Sequence, residues 1–391
     1  MKRFCTFAFT FLFLFAQVAH GIFAFASSAE DAVAAAKTSV VMELNSRSAC
    51  LMEPTTGEIL FEQNAEEHLE PASVTKIMSV LLIYEALNDG RITKDDIVTA
   101  SAAASEMGGS QIWLEAGEQM TVNDMLKAIL VVSANDCTVA MAEHLAGSEA
   151  TFVSQMNERA AELGMTNTHF ENSTGLPAEN HYTCAKDIAI MTRELLRYPD
   201  VFSYTTIWMD SLRGGEMGLT NTNKLVRFYP GATGMKTGFT SSAGYCMSAT
   251  ATRENMSLIA VVMKADTSDH RFEDAKKLLN YGFSNFTVYP IEKGVYAPIT
   301  VRGGKVKTVE LDSDSGAILL PKGRDKMVEC LPEIPESVSA PIKEGDVLGV
   351  LHYSLSGEEI ATVELRAKNG VRRVELWDIF EELLQKAICL Q

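Results

Sequence analysis

The sequence predicts an α+β chain of two β-containing parts in series, on three observations. Strand-like runs bracket a helix-rich stretch between about residues 40 and 290. After about 288 the texture changes to short β-like runs separated by Gly, Asp and Ser turns, and residues 371–391 end the chain on a helical amphipathic pattern. At 391 residues there is length enough for more than one domain, each with its own core.

Met1-Lys2-Arg3, an apolar run over 4–16, and Ala24-Phe25-Ala26 before Ser27 read as a basic start, a hydrophobic stretch and a small-x-small cleavage site. The run is too short to span a bilayer, so residues 1–26 are expected to be a secretory signal. The formal charge is −17, and losing Lys2 and Arg3 with a segment that has no acid makes it two charges more negative. Such a surface argues against nucleic acid as a partner, because phosphate binding needs basic surface. Six of the seven cysteines lie beyond the signal, with no close pairing and no metal-ligand spacing. They are expected to be small buried hydrophobes rather than disulfides.

Residues 48–53 and 58–62 read as strands around the turn Pro54-Thr55-Thr56-Gly57. A helix is expected over 71–87, since Pro71 suits its first turn and Asn88-Asp89-Gly90 stops it. Residues 92–120 look loop-rich. Thr121 then offers an N-cap with Asp124 three residues on, for a helix over 125–132. A polar interruption, Ser133-Ala134-Asn135-Asp136, precedes a second apolar helix over 137–145. It reads either as a cavity wall or as a plain helix-to-helix turn with Asp136 as N-cap. Helices follow over 150–163 and 183–197, with irregular stretches over 164–182 and 199–233. A strand carrying Gly234 to Thr240, a hairpin over 244–252 and 256–264, and a helix over 269–283 complete this part. The β-like runs beyond it are 295–301, 305–311, 317–320, 347–351 and 360–365.

Ser73 and Lys76, three residues apart, share one face of a helix start, which puts an amine within reach of a hydroxyl. A serine needs a base beside it to be a nucleophile, and a neutral lysine is one. Alone, Ser-x-x-Lys is more often a serine at a helix N-terminus with a solvated lysine. However, Ser133-x-Asn135 and Lys236-Thr237-Gly238 also occur, once each and in that order.

Together these three motifs resemble the active site of the penicillin-recognising serine enzymes. Their flanks, Pro71-Ala72 before Ser73, Asp136 after Asn135, and Phe239-Thr240 with Ala243-Gly244-Tyr245, are similar to the D-alanyl-D-alanine carboxypeptidases among the low-molecular-mass penicillin-binding proteins. So are Asp269-His270-Arg271-Phe272 and Leu278-Leu279-Asn280-Tyr281-Gly282-Phe283, and the likeness runs over about 40–370. It implies a catalytic domain over 27–287, with a helical lobe on a five-stranded antiparallel sheet, then a small antiparallel β-domain over 288–370. It implies no cofactor and no metal. Its substrate would be a peptidoglycan stem peptide ending in D-Ala-D-Ala, with β-lactams as acylating mimics. Ser73, Lys76 and Ser133 would be catalytic. Asn135, Lys236, Thr237, Gly238, Phe239 and Arg271 would bind substrate, with Gly238 leaving room for its backbone and the N–H groups of Ser73 and Phe239 receiving the oxyanion.

Arg271 reads either as a site residue or as half of a structural salt bridge, and His181 either as a base or as a loop residue. Thr222 stands where some relatives carry an arginine. A class A β-lactamase would share the fold but needs a Glu-x-x-x-Asn loop; Glu171 and Glu179 are followed at the fourth position by Gly175 and Thr183. A catalytically silent wall-binding homologue is the other rival. Finally, Leu376, Trp377, Phe380, Leu383, Leu384, Ala387 and Ile388 form one apolar stripe opposite Glu375, Asp378, Glu381, Glu382 and Gln385. It reads as a helix lying on the outer face of the membrane, and the resemblance points the same way.

Overall fold

The computed structural model describes residues 42–388, so the signal segment expected over 1–26 lies outside the described residues, as does Cys389. The described chain divides between Ser284 and Asn285 into two compact units.

The first unit is built on a five-stranded sheet. Its strands are β1 (Ser48–Met52), β2 (Ile59–Gln63), β3 (Ala232–Thr240), β4 (Gly244–Arg253) and β5 (Met256–Ala265), in the order β2-β1-β5-β4-β3 with every pairing antiparallel. Strands β1 and β5 are apolar without alternation because both faces of the sheet are covered. Cys50, Met52, Ile259, Val261 and Met263 belong to the core shared with the helical lobe. On the opposite face, Leu51 and Leu258 meet α6 (Ser268–Asn285) at Gly282, where a side chain would stand 2.5 Å from Leu258 Cδ1. Buried Asp274 ties α6 to the start of the sheet by accepting from Ser46 N at 2.7 Å and Ser46 Oγ at 2.8 Å.

The lobe consists of α1 (Lys76–Asn88), α2 (Val122–Val131), α3 (Asn135–Ala146), α4 (Glu149–Glu162) and α5 (Ala185–Leu195). Helix α1 is apolar nearly all round and almost wholly buried, contacting α3, α4 and α5, while α5 lies on β1 and β5. Thr121 caps α2 as its sequence predicts, accepting from Asp124 N at 3.1 Å. Gly147 ends α3 in the left-handed conformation.

The second unit holds a two-stranded piece, β6 (Phe286–Ile291) with β9 (Gly316–Pro321). Its six-stranded sheet contains β7 (Val295–Arg302), β8 (Thr308–Ser313), β10 (Val328–Glu333), β11 (Ser337–Ser339), β12 (Val347–Leu355) and β13 (Glu358–Ala367). The sheet is antiparallel apart from β7 and β11, which run parallel through Thr300↔Ser337. Helix α7 (Leu376–Ile388) ends the described chain.

Four expectations need amending. Ser73 lies in a 3-10 turn, Ala72–Thr75, and the α-helix begins only at Lys76. The stretches over 92–120 and 199–233 hold small hairpins, Ile97–Thr99 with Gln119–Thr121 and Met209–Leu212 with Met217–Thr220. Strands β6, β10 and β11 were not legible. Cys50, Cys137, Cys184 and Cys246 are free and buried, but Cys330 is free and exposed on β10.

Candidate active site

Two close backbone approaches shape the turn that carries Ser73. Ala72 is left-handed at φ 49°, and Gly175 packs against it so tightly that a Cβ there would lie 1.8 Å from Ala72 O. On the other side, a Cβ on Gly238 would stand 2.8 Å from Pro71 O, 2.9 Å from Ser73 N and 3.0 Å from Val74 N. The space a side chain at Gly238 would need is therefore taken by the Ser73 turn.

Lys76 is fully buried, and its Nζ lies 3.0 Å from Ser73 Oγ, 2.6 Å from Asn135 Oδ1 and 2.7 Å from Thr174 O. Burial, and then the charge of Lys236, pull this amine well below the ordinary lysine value, against an opposing effect of Asp136. Two of its neighbours are carbonyl oxygens that only accept. A neutral amine that donates its two N–H bonds to them is left with its lone pair facing the Ser73 hydroxyl.

Ser133, at φ 66°, lies within the α2–α3 connection with its Oγ buried and without a hydrogen-bond partner among the described residues. Asn135 opens α3; besides accepting from Lys76, its Nδ2 donates to Gly108 O at 2.6 Å and its backbone N to Ser110 O at 2.7 Å. Asp136 is no N-cap. Its buried carboxylate lies inside α3 and accepts from Ile112 N at 3.0 Å and Leu114 N at 3.1 Å.

Strand β3 borders the Ser73 turn. Lys236 is buried on it, donates to Thr237 O at 2.9 Å, and is lowered to about 7 by burial and by Arg271. Thr237 Oγ1 donates to Thr222 Oγ1 at 2.7 Å, so Thr222 touches the Lys-Thr-Gly strand. Phe239 is half exposed and packs at a tilt against Tyr245, with 4.3 Å between ring centroids. Arg271 has no ion pair among the described residues. Its Nη1 donates to Gly238 O at 3.2 Å and Cys246 O at 3.4 Å, and its guanidinium lies 4.6 Å from the Phe272 ring and 5.4 Å from that of Tyr245. Burial lowers it to about 10.

His181 does not reach Ser73. It is buried, accepts from Glu171 N at 3.1 Å through Nδ1, and therefore donates through Nε2 to Thr75 Oγ1 at 2.8 Å. Burial lowers it to about 4, which keeps this tautomer neutral. Glu171 and Glu179 are both exposed, and the loop offers Lys76 the Thr174 carbonyl rather than a carboxylate. Sequence reasoning missed Thr174, Gly108, Gly175 and the Thr75–His181 pair. Only the glycines carried a signal, as conformationally permissive residues in irregular stretches.

A serine and a buried amine beside a Lys-Thr-Gly strand define a serine acyl-transfer site of the penicillin-recognising class. The family model for D-alanyl-D-alanine carboxypeptidases of peptidase family S11 matches residues 32–267, and that for the penicillin-binding protein 5 C-terminal domain matches 283–373. The chain is 44% identical to a D-alanyl-D-alanine carboxypeptidase, DacF, of Bacillus subtilis over 84% of its own length and 86% of the relative's. It is 34% identical to DacC of Escherichia coli over 90% and 87%. The solved penicillin-binding protein 5 of Haemophilus influenzae superposes with a TM-score of 0.74 at 32% identity, over 85% of this chain and 99% of that one. Penicillin-binding protein D2 of Listeria monocytogenes, solved in an ampicillin-bound form, does so at 0.58 and 30% identity, over 62% and 100%. This chain belongs to the S11 family of serine D-alanyl-D-alanine carboxypeptidases, the low-molecular-mass penicillin-binding proteins.

Because β3 and the Ser73 turn touch at Gly238, Gly238→Ala is expected to push them apart. The rate of β-lactam acylation should fall by at least about tenfold, the effect of roughly 1.4 kcal/mol on a barrier. Stopped-flow acylation kinetics check this, and an unchanged rate would contradict the close approach.

Proposed function

We propose that this enzyme releases the terminal D-alanine of peptidoglycan stem peptides through an acyl-enzyme on Ser73. The observation that carries the reading is the Lys76 amine, buried and aimed at Ser73 Oγ from two carbonyl anchors. Lys76 takes the Ser73 proton as Oγ attacks the penultimate carbonyl. The oxyanion forms between the N–H groups of Ser73 and Phe239, and one such donor is worth about 3–4 kcal/mol. Ser133, whose Oγ has no partner among the described residues, relays a proton to the departing amine. Lys236 and Thr237 receive the substrate carboxylate, which stabilises the Lys236 cation against its lowered value. Arg271 acts from behind as a positioning residue, holding the strand carbonyls at Gly238 and Cys246. Water then hydrolyses the ester, and β-lactams acylate the same serine.

Ser73→Ala should lose at least about a thousandfold in D-alanine release from a stem pentapeptide. In the wild type a β-lactam adduct should map to Ser73 by mass. An adduct on Ser133 or Ser79 would contradict the assignment, and a chain that takes no label and releases no D-alanine would be the silent homologue.

The same reading extends to placement. Among the described residues no helix is long and apolar enough to cross a membrane. Helix α7 instead exposes Leu376, Trp377, Phe380, Leu383 and Leu384, with Trp377 68% exposed, and Ile379 widens the stripe beyond the sequence expectation. Asp378 pairs with Arg372 and, at 3.1 Å, with Lys305, so basic charge that an anionic surface would attract is already used. The enzyme acts outside the cytoplasm, with α7 on the outer face of the membrane through its apolar stripe. Removing residues 372–391 should abolish flotation with liposomes and keep D-alanine release from a soluble peptide, and the binding of the untruncated protein should change little between low and high salt. A truncated protein that still floats would contradict the tether.

A further inference from the structure

The Thr174 carbonyl that anchors Lys76 lies in a segment, residues 172–176, that belongs to neither helix nor strand. No backbone ladder fixes its direction, so a side chain must. Asn172 Oδ1 accepts from Gly175 N at 2.7 Å, from Thr174 Oγ1 at 3.1 Å, and from Thr174 N and Leu176 N at 3.2 Å each. Its Nδ2 donates to Leu176 O at 2.9 Å. The segment is thus wound around one amide, as asparagine side chains wind local turns.

In a trans peptide the C=O and the following N–H point in opposite directions. With the Gly175 N–H drawn inward to Asn172, the Thr174 C=O is driven outward, where it meets Lys76 Nζ at 2.7 Å. The Thr174 N–H likewise turns the Ser173 C=O outward, to Ser79 Oγ at 2.6 Å. Lys76 and Ser79 stand three residues apart on one face of α1, so the turn docks there at two points. Glu149, in the first turn of α4, adds a third by accepting from Ser173 N at 3.0 Å and Ser173 Oγ at 2.6 Å. Among the described residues Asn172 itself is a hydrogen-bond partner of neither Ser73 nor Lys76.

We infer that Asn172 is a positioning residue for the base, acting on Lys76 through the Thr174 carbonyl, an extension of the acyl-enzyme reading on which it rests. The test is the pH dependence of penicillin acylation in the full-length enzyme, resolved into a limiting rate and a non-covalent affinity. Asn172→Ala should lower the limiting rate by about ten- to a hundredfold, as a small misplacement of a reacting group does, and leave the affinity within about twofold. Asn172→Asp keeps an oxygen for the four donors but loses the bond to Leu176 O, so its rate at high pH should stay within about fivefold of wild type. Its added negative charge favours the Lys76 cation, so the rise of rate with pH should move upward by about half a pH unit or more. An Asn172→Ala enzyme with the wild-type limiting rate, or one that loses affinity alone, would overturn the assignment. Alanine and aspartate variants equally slow at every pH, with the rise unmoved, would do the same, since that marks a merely structural asparagine. If Asn172→Ala does not fold, the aspartate variant decides: a retained rate with a displaced rise supports the role, and a lost rate or an unmoved rise overturns it. Failure of the parent reading looks different: no penicillin adduct forms on Ser73 of the wild type.

Discussion

The site depends on how one amine is held. Lys76 stands in a fully buried position where its cation is disfavoured, and two carbonyl oxygens, from Asn135 and Thr174, take the directions in which it donates. When that amine is neutral, what remains directed at Ser73 is a lone pair. Each anchor belongs to a different part of the lobe: Asn135 opens α3, and Thr174 lies in the irregular stretch between α4 and α5. The close packing of α1 on its neighbours is thus what fixes the base, and Gly175 and Gly238 let two further backbones reach the serine turn. Removing either carbonyl would give the amine freedom to turn away from Ser73 Oγ.

Asp136 links several of these features through one buried carboxylate. It sits in the first turn of α3, favours the Lys76 cation against the effect of burial, and gathers the N–H groups at Ile112 and Leu114. Its charge therefore moderates the base, and its hydrogen bonds shape the rim. An acid at the position after Asn135 serves the loop whose carbonyls hold Asn135 rather than capping a helix.

Much of this was legible in local chemistry. The Ser73–Lys76 spacing, the Thr121 cap, the apolar run of β5 and the hairpin it makes with β4 are short-range patterns, and each is present where its residues place it. What was not legible is chiefly backbone. The Thr174 and Gly108 carbonyls carry no residue-type signature, and the Thr75–His181 bond joins groups 106 residues apart. The left-handed Trp113 leaves no trace in its residue type, which disfavours that conformation. Strand β10 escaped notice because it contains Pro332 and lies at a sheet edge with mostly exposed residues, and β11 because three residues make no pattern. The closeness of Gly238 to the enzyme's own serine turn is likewise a backbone contact that its residue type does not specify.

The central claim is that Lys76 is neutral in the resting enzyme. Lysine labelled with ¹³C at Cε, titrated by NMR in the full-length protein and assigned through Lys76→Met, reads that protonation state directly. The account predicts one lysine that titrates well below the ordinary 10.5 and disappears in the variant. A Lys76 signal that titrates at the ordinary lysine value would contradict it, because a permanent cation has no lone pair to take the serine's proton.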